Sequence, residues 1–218
     1  MAQRRKVNNL LALSLLNMLN QRPMYPYEMA STLRERGKDN AIKINWGSFY
    51  TVVQNLEKYG FIEAIGVARE GRQPERTVYQ ITDAGRDEAN DWLRELLSTP
   101  ERENTSFEAA LGEAAALPPD ELIGLLQQRL AALEKANDRI QAELAELVTV
   151  LPRLFLIESE YYLALRRAEE EWVRRLLKEF TGGTFPGLED WRRFHATGEV
   201  PDYIQALVEQ EGDRTADT

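Results

Sequence analysis

Residues 42–86 read IKINWGSFYTVVQNLEKYGFIEAIGVAREGRQPERTVYQITDAGR. In the first half, Phe49, Val52, Val53 and Leu56 recur at i, i+3, i+4 and i+7, the spacing of one buried helix face. The other face carries Ser48, Thr51, Gln54, Asn55 and Lys58, all hydrogen-bonding and none acidic. Gly60, directly after Tyr59, predicts the helix end, because glycine takes the left-handed conformation there at no steric cost. Residues 61–68 and 77–81 then read as strands. Between them, REGRQPER at 69–76 supplies a glycine, a proline and three arginines, which predicts a hairpin with a basic tip. Thr82 stands where it can cap a new helix. A polar-faced helix followed by a basic hairpin is the anatomy of a winged helix-turn-helix.

The pattern has a chemical consequence. An α-helix fits the major groove of DNA, where Asn, Gln, Ser, Thr and Lys reach base edges, and arginines on a hairpin meet phosphates. The expected contacts with double-stranded DNA are therefore Ser48, Tyr50, Thr51, Gln54, Asn55 and Lys58 on a recognition helix over 47–59, and Arg69, Arg72 and Arg76 on a wing over 69–76. The competing reading is a winged helix used as a protein-interaction platform without an operator of its own. Such a platform has no need of three arginines on one hairpin with Lys58 nearby.

Charge distribution supports the first reading. The 218 residues carry a net −9, yet residues 1–82 hold 12 Lys+Arg against 7 Asp+Glu, a net of +5. The remaining 136 residues hold 15 against 29, a net of −14. Such asymmetry sets a nucleic-acid-facing part beside a part with another task. There is no cysteine, so no disulfide framework or thiolate chemistry is available, which fits a reducing, cytoplasmic setting. No apolar run reaches the ~18 residues of a membrane span. The basic start MAQRRKVNN lacks the unbroken apolar stretch of a signal peptide.

Outside the central stretch the expectation is helical. Asn8 or Asn9 caps a first helix containing Leu10, Leu11, Leu13, Leu15, Leu16 and Leu19. Pro26 opens a second that ends before Gly37. A helix follows Thr82 to about Ser98, and the polar run 101–106 marks a domain boundary. A short helix from Phe107 leads to Pro118-Pro119, and the next helix extends to about Leu151. Along it Ile123, Leu126, Leu130, Leu133, Asn137, Ile140, Leu144 and Leu147 alternate spacings of three and four. That is a heptad seam with one asparagine, a device that fixes register and partner number in coiled coils. These eight residues are the expected homodimer contacts, an intramolecular helical hairpin being the alternative use. After Pro152 another helix runs to about Phe180, with Leu154, Ile157, Tyr161, Leu165, Ala168, Trp172 and Leu176 expected inward and Glu169–Glu171 expected to face solvent. The fold class predicted is mainly α: a winged helix-turn-helix over 1–100, a helical hairpin dimerisation domain over 107–180, and an extension over 181–218 with short helices around Trp191 and Tyr203 and a disordered end.

The motifs Gly47-Ser48-Phe49-Tyr50, Leu56-Glu57, Tyr59-Gly60-Phe61-Ile62 and Tyr79-x-Ile81-Thr82-x-x-Gly85-Arg86 resemble those of the PadR family of transcriptional regulators. Leu11-Ala12-Leu13-Ser14-Leu15-Leu16 and Tyr27-Glu28-Met29 fit the same family. The resemblance spans residues 7–97, and over 107–180 the chain looks like the subgroup with a long C-terminal helical domain. It implies a homodimeric repressor of a roughly palindromic operator, released by a small molecule that is often aromatic. Pro26 departs from the family, which usually has glycine before the tyrosine. The tail from Thr181, with Trp191 and His195, has no counterpart in it.

An enzyme reading finds no support. One histidine, His195, and no cysteine leave no multi-histidine or zinc site, and no nucleophile–base motif is present. Gly182-Gly183 has no strand or lysine to make it a phosphate loop. No catalytic residue, metal or cofactor is expected, and His195 is expected at the surface. Trp92, Tyr161, Tyr162 and Trp172 are candidates to line an aromatic effector pocket, with ordinary core packing as the alternative.

Overall fold

The computed structural model describes residues 5–36, 44–68 and 76–200. The chain divides into two compact units, Met1–Arg102 and Glu103–Thr218. The described residues are mostly helical, with one two-stranded antiparallel sheet among them.

The first unit is a winged helix. Helix α1 (Leu10–Leu19) is capped by Asn9, whose side chain accepts the Leu11 N–H at 2.8 Å. Its leucines are buried nearly all round, as a central helix requires. Helix α2 (Pro26–Glu35) has Pro26 in its first turn and buries Met29, Ala30 and Leu33. A 3₁₀ turn at Trp46–Ser48 leads into α3 (Phe49–Lys58), whose buried residues are Phe49, Val52, Val53 and Leu56. Its C-terminus is a Schellman motif. Gly60 sits at φ +75°, the Phe61 N–H donates to the Leu56 carbonyl, and the Gly60 N–H donates to that of Glu57, both at 2.9 Å.

Strands β1 (Ile62–Ala68) and β2 (Arg76–Ile81) pair antiparallel, with Ile65 as the extra residue of a bulge between Ala64 and Gly66. On the other edge of β2, Met24 and Tyr79 exchange both backbone hydrogen bonds at 3.0 Å, which ties the α1–α2 turn to the wing. The tip carrying Arg69 and Arg72 lies outside the described residues. Helix α4 (Asp83–Ser98) starts at Thr82, whose hydroxyl accepts the Gly85 N–H at 3.1 Å and donates to the Gly60 carbonyl at 2.6 Å. A Cβ at Gly85 would lie 2.0 Å from the Phe61 carbonyl oxygen, so only glycine permits this approach of α4 to the helix–wing corner.

The second unit contains α5 (Ser106–Gly112), a 3₁₀ turn at Ala114–Ala116, α6 (Pro119–Leu147), α7 (Ile157–Thr181) and α8 (Leu188–Thr197). Helix α6 stops at Leu147, four residues before the expected end. The β-branched run Val148-Thr149-Val150 disfavours helix, and the Thr149 hydroxyl donates to the Glu146 carbonyl at 2.7 Å. Helices α6 and α7 pack together as a hairpin within one chain. Leu126, Leu133 and Asn137 of the heptad seam are buried; Ile123, Leu130, Ile140 and Leu144 are half-buried, and Leu147 is exposed.

The inward face of α7 differs from the expected one. Leu163, Val173, Leu177 and Phe180 are buried, while Ile157, Tyr161 and Leu165 are 50, 66 and 52% exposed, and Leu154 before the helix is 71% exposed. Arg166 and Glu170 occupy the inward positions between Leu163 and Val173, opposite Asn137. Charged residues at those places hide the true face from a hydrophobicity pattern. Asn137, 3% exposed, donates to Glu170 Oε2 at 2.7 Å and accepts from Arg166 Nε at 2.9 Å. Its polar atoms are thus satisfied by its own chain. The run Glu169–Glu171 is also more than a solvated face, since Glu169 accepts from Arg129 Nε at 2.6 Å and Glu170 pairs with Arg174 at 2.5 Å.

The segment expected to stand apart as an extension contributes to this unit. Phe185, Leu188 and Trp191 join Leu122, Leu126 and Phe180 in its core. The Trp191 indole N–H donates to the Ala115 carbonyl at 3.3 Å, and His195 Nε2 lies 3.0 Å from the same oxygen. Tyr203 and the end of the chain lie outside the described residues.

Candidate nucleic-acid interface

The candidate interface is built on the outer face of α3. Tyr50, Thr51, Gln54 and Lys58 are exposed, and Asn55 and Ser48 are partly so. Because Phe49, Val52, Val53 and Leu56 are locked into the core, the helix cannot rotate without unpacking the unit. The Ser48 hydroxyl donates to the Asn45 carbonyl at 2.9 Å, so its role in the 3₁₀ entry turn is structural as well. Asn45 in turn accepts the Gly47 N–H at 3.1 Å.

Contacts that sequence spacing does not display hold the wing and the helix in register. The Tyr79 hydroxyl on β2 donates to Glu57 Oε2 of α3 at 3.2 Å. Burial first, and the Glu57 carboxylate second, push the Tyr79 phenol above its ordinary range. Glu57 is therefore the partner of the wing rather than a stray acid on the recognition helix. At the wing base the Arg76 guanidinium lies over two rings of the α2 entry, 4.9 Å from Tyr25 and 5.3 Å from Tyr27. Arg76 thus anchors β2 to the first helix of the motif. Arg34 of α2 covers Trp46 at 4.0 Å, and Trp46 stacks on Phe49, which fixes the turn entering α3. These aromatic–cation pairs join residues far apart in sequence, and only the alternation of aromatics with arginines could have hinted at them.

The aromatic residues considered for an effector pocket have different settings. Trp92 is buried in the core of the first unit, under the Arg5 guanidinium at 5.4 Å. Tyr161 and Tyr162 are exposed on α7 of the second unit, and Trp172 meets Phe107 edge to face at 6.1 Å. Among the described residues no three His, Cys, Asp or Glu side chains gather as a metal site, and no helix is long and apolar enough to cross a membrane.

Comparison with known proteins agrees with this geometry. Residues 15–91 match the model of the transcriptional regulator PadR-like family. The chain is similar to Bacillus subtilis PadR in complex with operator DNA, with 20% identity, a TM-score of 0.62, and coverage of 78% of this chain and 98% of that one. For Bacillus subtilis PadR in complex with p-coumaric acid the identity is 19%, the TM-score 0.62 and the coverage 78% and 97%. A PadR-like transcriptional regulator from Bacillus cereus gives 17%, 0.54, and 78% and 96%. At such identities the likeness is one of fold. No curated protein matches the chain in sequence.

Proposed function

We propose, from the match of residues 15–91 to the PadR-like transcriptional regulator family, that the chain binds double-stranded DNA as a homodimeric repressor of a palindromic operator. The observation that carries this reading is the outer face of α3. It is polar and without a free acid, because its one carboxylate, Glu57, is bonded to Tyr79 of the wing. Gln54 and Asn55 are the side chains able to make paired hydrogen bonds to adenine, and Tyr50, Thr51 and Lys58 surround them. Arg69 and Arg72 supply phosphate contacts, and Arg76 anchors β2 against Tyr25 and Tyr27.

The partner of the dimer is read from the second unit. Ile157, Tyr161 and Leu165, at i, i+4 and i+8 of α7, form an exposed apolar stripe, and Leu154 and Phe155 before it are exposed as well. A stripe of this length on an isolated chain calls for a cover. We assign that cover to a second copy, with Leu147 contributing from the heptad seam. Leu126, Leu133 and Asn137, expected at the dimer seam, serve the intramolecular hairpin instead. By analogy with the p-coumaric acid complex of the similar PadR, a small aromatic effector is proposed, with Tyr161, Tyr162 and Trp172 of the second unit as the residues to test.

The deciding experiment is a mobility shift on the DNA upstream of the protein's own gene at several salt concentrations, followed by selection from random duplexes. A palindromic motif with half-sites about one helical turn apart, or a multiple of it, is expected. Gln54→Ala and Asn55→Ala should each cost about 1–3 kcal/mol on that motif and relax one base pair per half-site. Absence of any salt-dependent binding would favour the protein-interaction platform.

A further inference from the structure

The segment before α1 alternates in burial, with a bend at Lys6. Arg5 turns inward, with its side chain 15% exposed; Lys6 is exposed; Val7 is 8% exposed and belongs to the first core. Arg5 is held on α4 by ion pairs to Glu88, at 2.7 Å, and to Glu95, with Trp92 beneath its guanidinium. With both neighbours anchored inward, Lys6 at the bend between them is left exposed. The Lys6 ammonium then lies 5.9 Å from the centre of the Tyr59 ring, and that of Lys58 lies 5.7 Å from the same ring. Neither ammonium has an ion-pair partner among the described residues. The acid next to Lys58, Glu57, is occupied by Tyr79.

Two cations around one exposed tyrosine repel each other and gain from an anion placed beside them. We propose that Lys6, Tyr59 and Lys58 form a second backbone-binding site, taking phosphodiester oxygens of the duplex at the foot of the recognition helix. Lys6 and Lys58 supply charge, and the Tyr59 hydroxyl supplies a neutral donor. Arg5 is a positioning residue: it touches no DNA, and its grip on α4 pre-orders the arm. A pre-ordered cation loses less freedom on binding than one on a loose tail. The site rests on the DNA-binding reading above and adds to it a contact from outside the recognition helix and the wing.

The test is Lys6→Gln in the full chain, with Lys6→Arg beside it, measured on operator and unrelated duplexes from low to moderate salt. Loss of one phosphate contact should lower the slope of log affinity against log salt by about 0.9 per protomer on both DNAs, and Lys6→Arg should restore it. Because Lys6 is exposed and has no ion-pair partner among the described residues, the melting temperature should stay unchanged. Arg5→Ala, which keeps both lysines, should reproduce part of the loss. If the wild type binds DNA and Lys6→Gln binds with the same slope and affinity, this site is refuted and the regulator reading stands. If the wild type binds no DNA at any salt, both fall together.

Discussion

Replacing Asn137 with leucine tests the second unit most directly. In a heptad seam between copies, the exchange would be expected to raise stability. Here Asn137 is buried between α6 and α7 and bonds to two charged groups, Glu170 at 2.7 Å and Arg166 at 2.9 Å. Hydrogen bonds to charged groups contribute about 1.5–3 kcal/mol each, so the gross loss is about 3–6 kcal/mol. Burial of the leucine side chain returns about 1–2 kcal/mol. Glu170, 16% exposed at its side chain, keeps Arg174 and some access to water. A net destabilisation of about 2–3 kcal/mol is expected.

Urea unfolding of the full chain measures this, provided the two units are followed separately. Trp172 and Trp191 report on the second unit and Trp46 and Trp92 on the first, so single-tryptophan versions resolve the transitions. The loss should be confined to the second unit and appear at every protein concentration. It should also depend on pH. Arg174 first and Asn137 second hold the Glu170 carboxyl below its ordinary range. A lowered folded-state pKa gives stability that is present above the ordinary carboxylate range and lost as pH falls through the folded-state value. The gap between wild type and Asn137→Leu should therefore narrow in acid. A variant as stable as the wild type at neutral pH would refute the intramolecular role.

Three shorter tests concern other joints. Gly85→Ala forces a Cβ to 2.0 Å from the Phe61 carbonyl, and the required shift of α4 should cost about 3 kcal/mol, seen as a lowered melting temperature of the first unit. Tyr79→Phe removes the bond to Glu57 and should cost less than about 1.5 kcal/mol in stability while weakening operator binding severalfold. The same variant should lose the alkaline sensitivity due to Tyr79: with its folded-state pKa raised, that stability is full below about pH 10 and lost as pH rises through the folded value. Leu165→Glu on the exposed stripe of α7 should convert a dimer to a monomer in sedimentation without changing the melting of an isolated chain.

How legible each part was follows from the range of its interactions. The apolar spacing of α3, the positive-φ Gly60, the Thr82 cap and Pro26 in the first turn of α2 are local devices, and each stands where the sequence pattern places it. The inward residues Leu126, Leu133 and Asn137 of α6 also follow from their spacing. Helix α7 defeated the same method because it carries two apolar faces. The buried one, Leu163-Val173-Leu177-Phe180, is interrupted by Arg166 and Glu170, while Ile157, Tyr161 and Leu165 of the other are on the surface and Leu176 at its end packs against the core. Periodicity favours the cleaner stripe and has no means of knowing that a charged pair has its partner on another helix. Arg76 over Tyr25 and Tyr27, Lys6 beside Tyr59, and Trp191 on Ala115 share that limitation, since each joins segments tens of residues apart.

The inversion on α7 has its own logic. A helical hairpin meant to stand alone buries its most apolar stripe and turns charges to water. Here the internal joint spends inward positions on Asn137, Arg166 and Glu170, flanked by the Arg129–Glu169 and Arg174–Glu134 pairs, while Ile157, Tyr161 and Leu165 face outward. The polar joint fixes which residues of α6 meet which residues of α7, because a slip of one residue would leave the buried Asn137 without its partners. The outward stripe is then held in one orientation by a joint that does not compete for it. That division leaves the stripe open for the second copy proposed above. The asparagine expected at a seam between copies thus sets register within the chain, and Ile157, Tyr161 and Leu165, expected inward, are left on the surface.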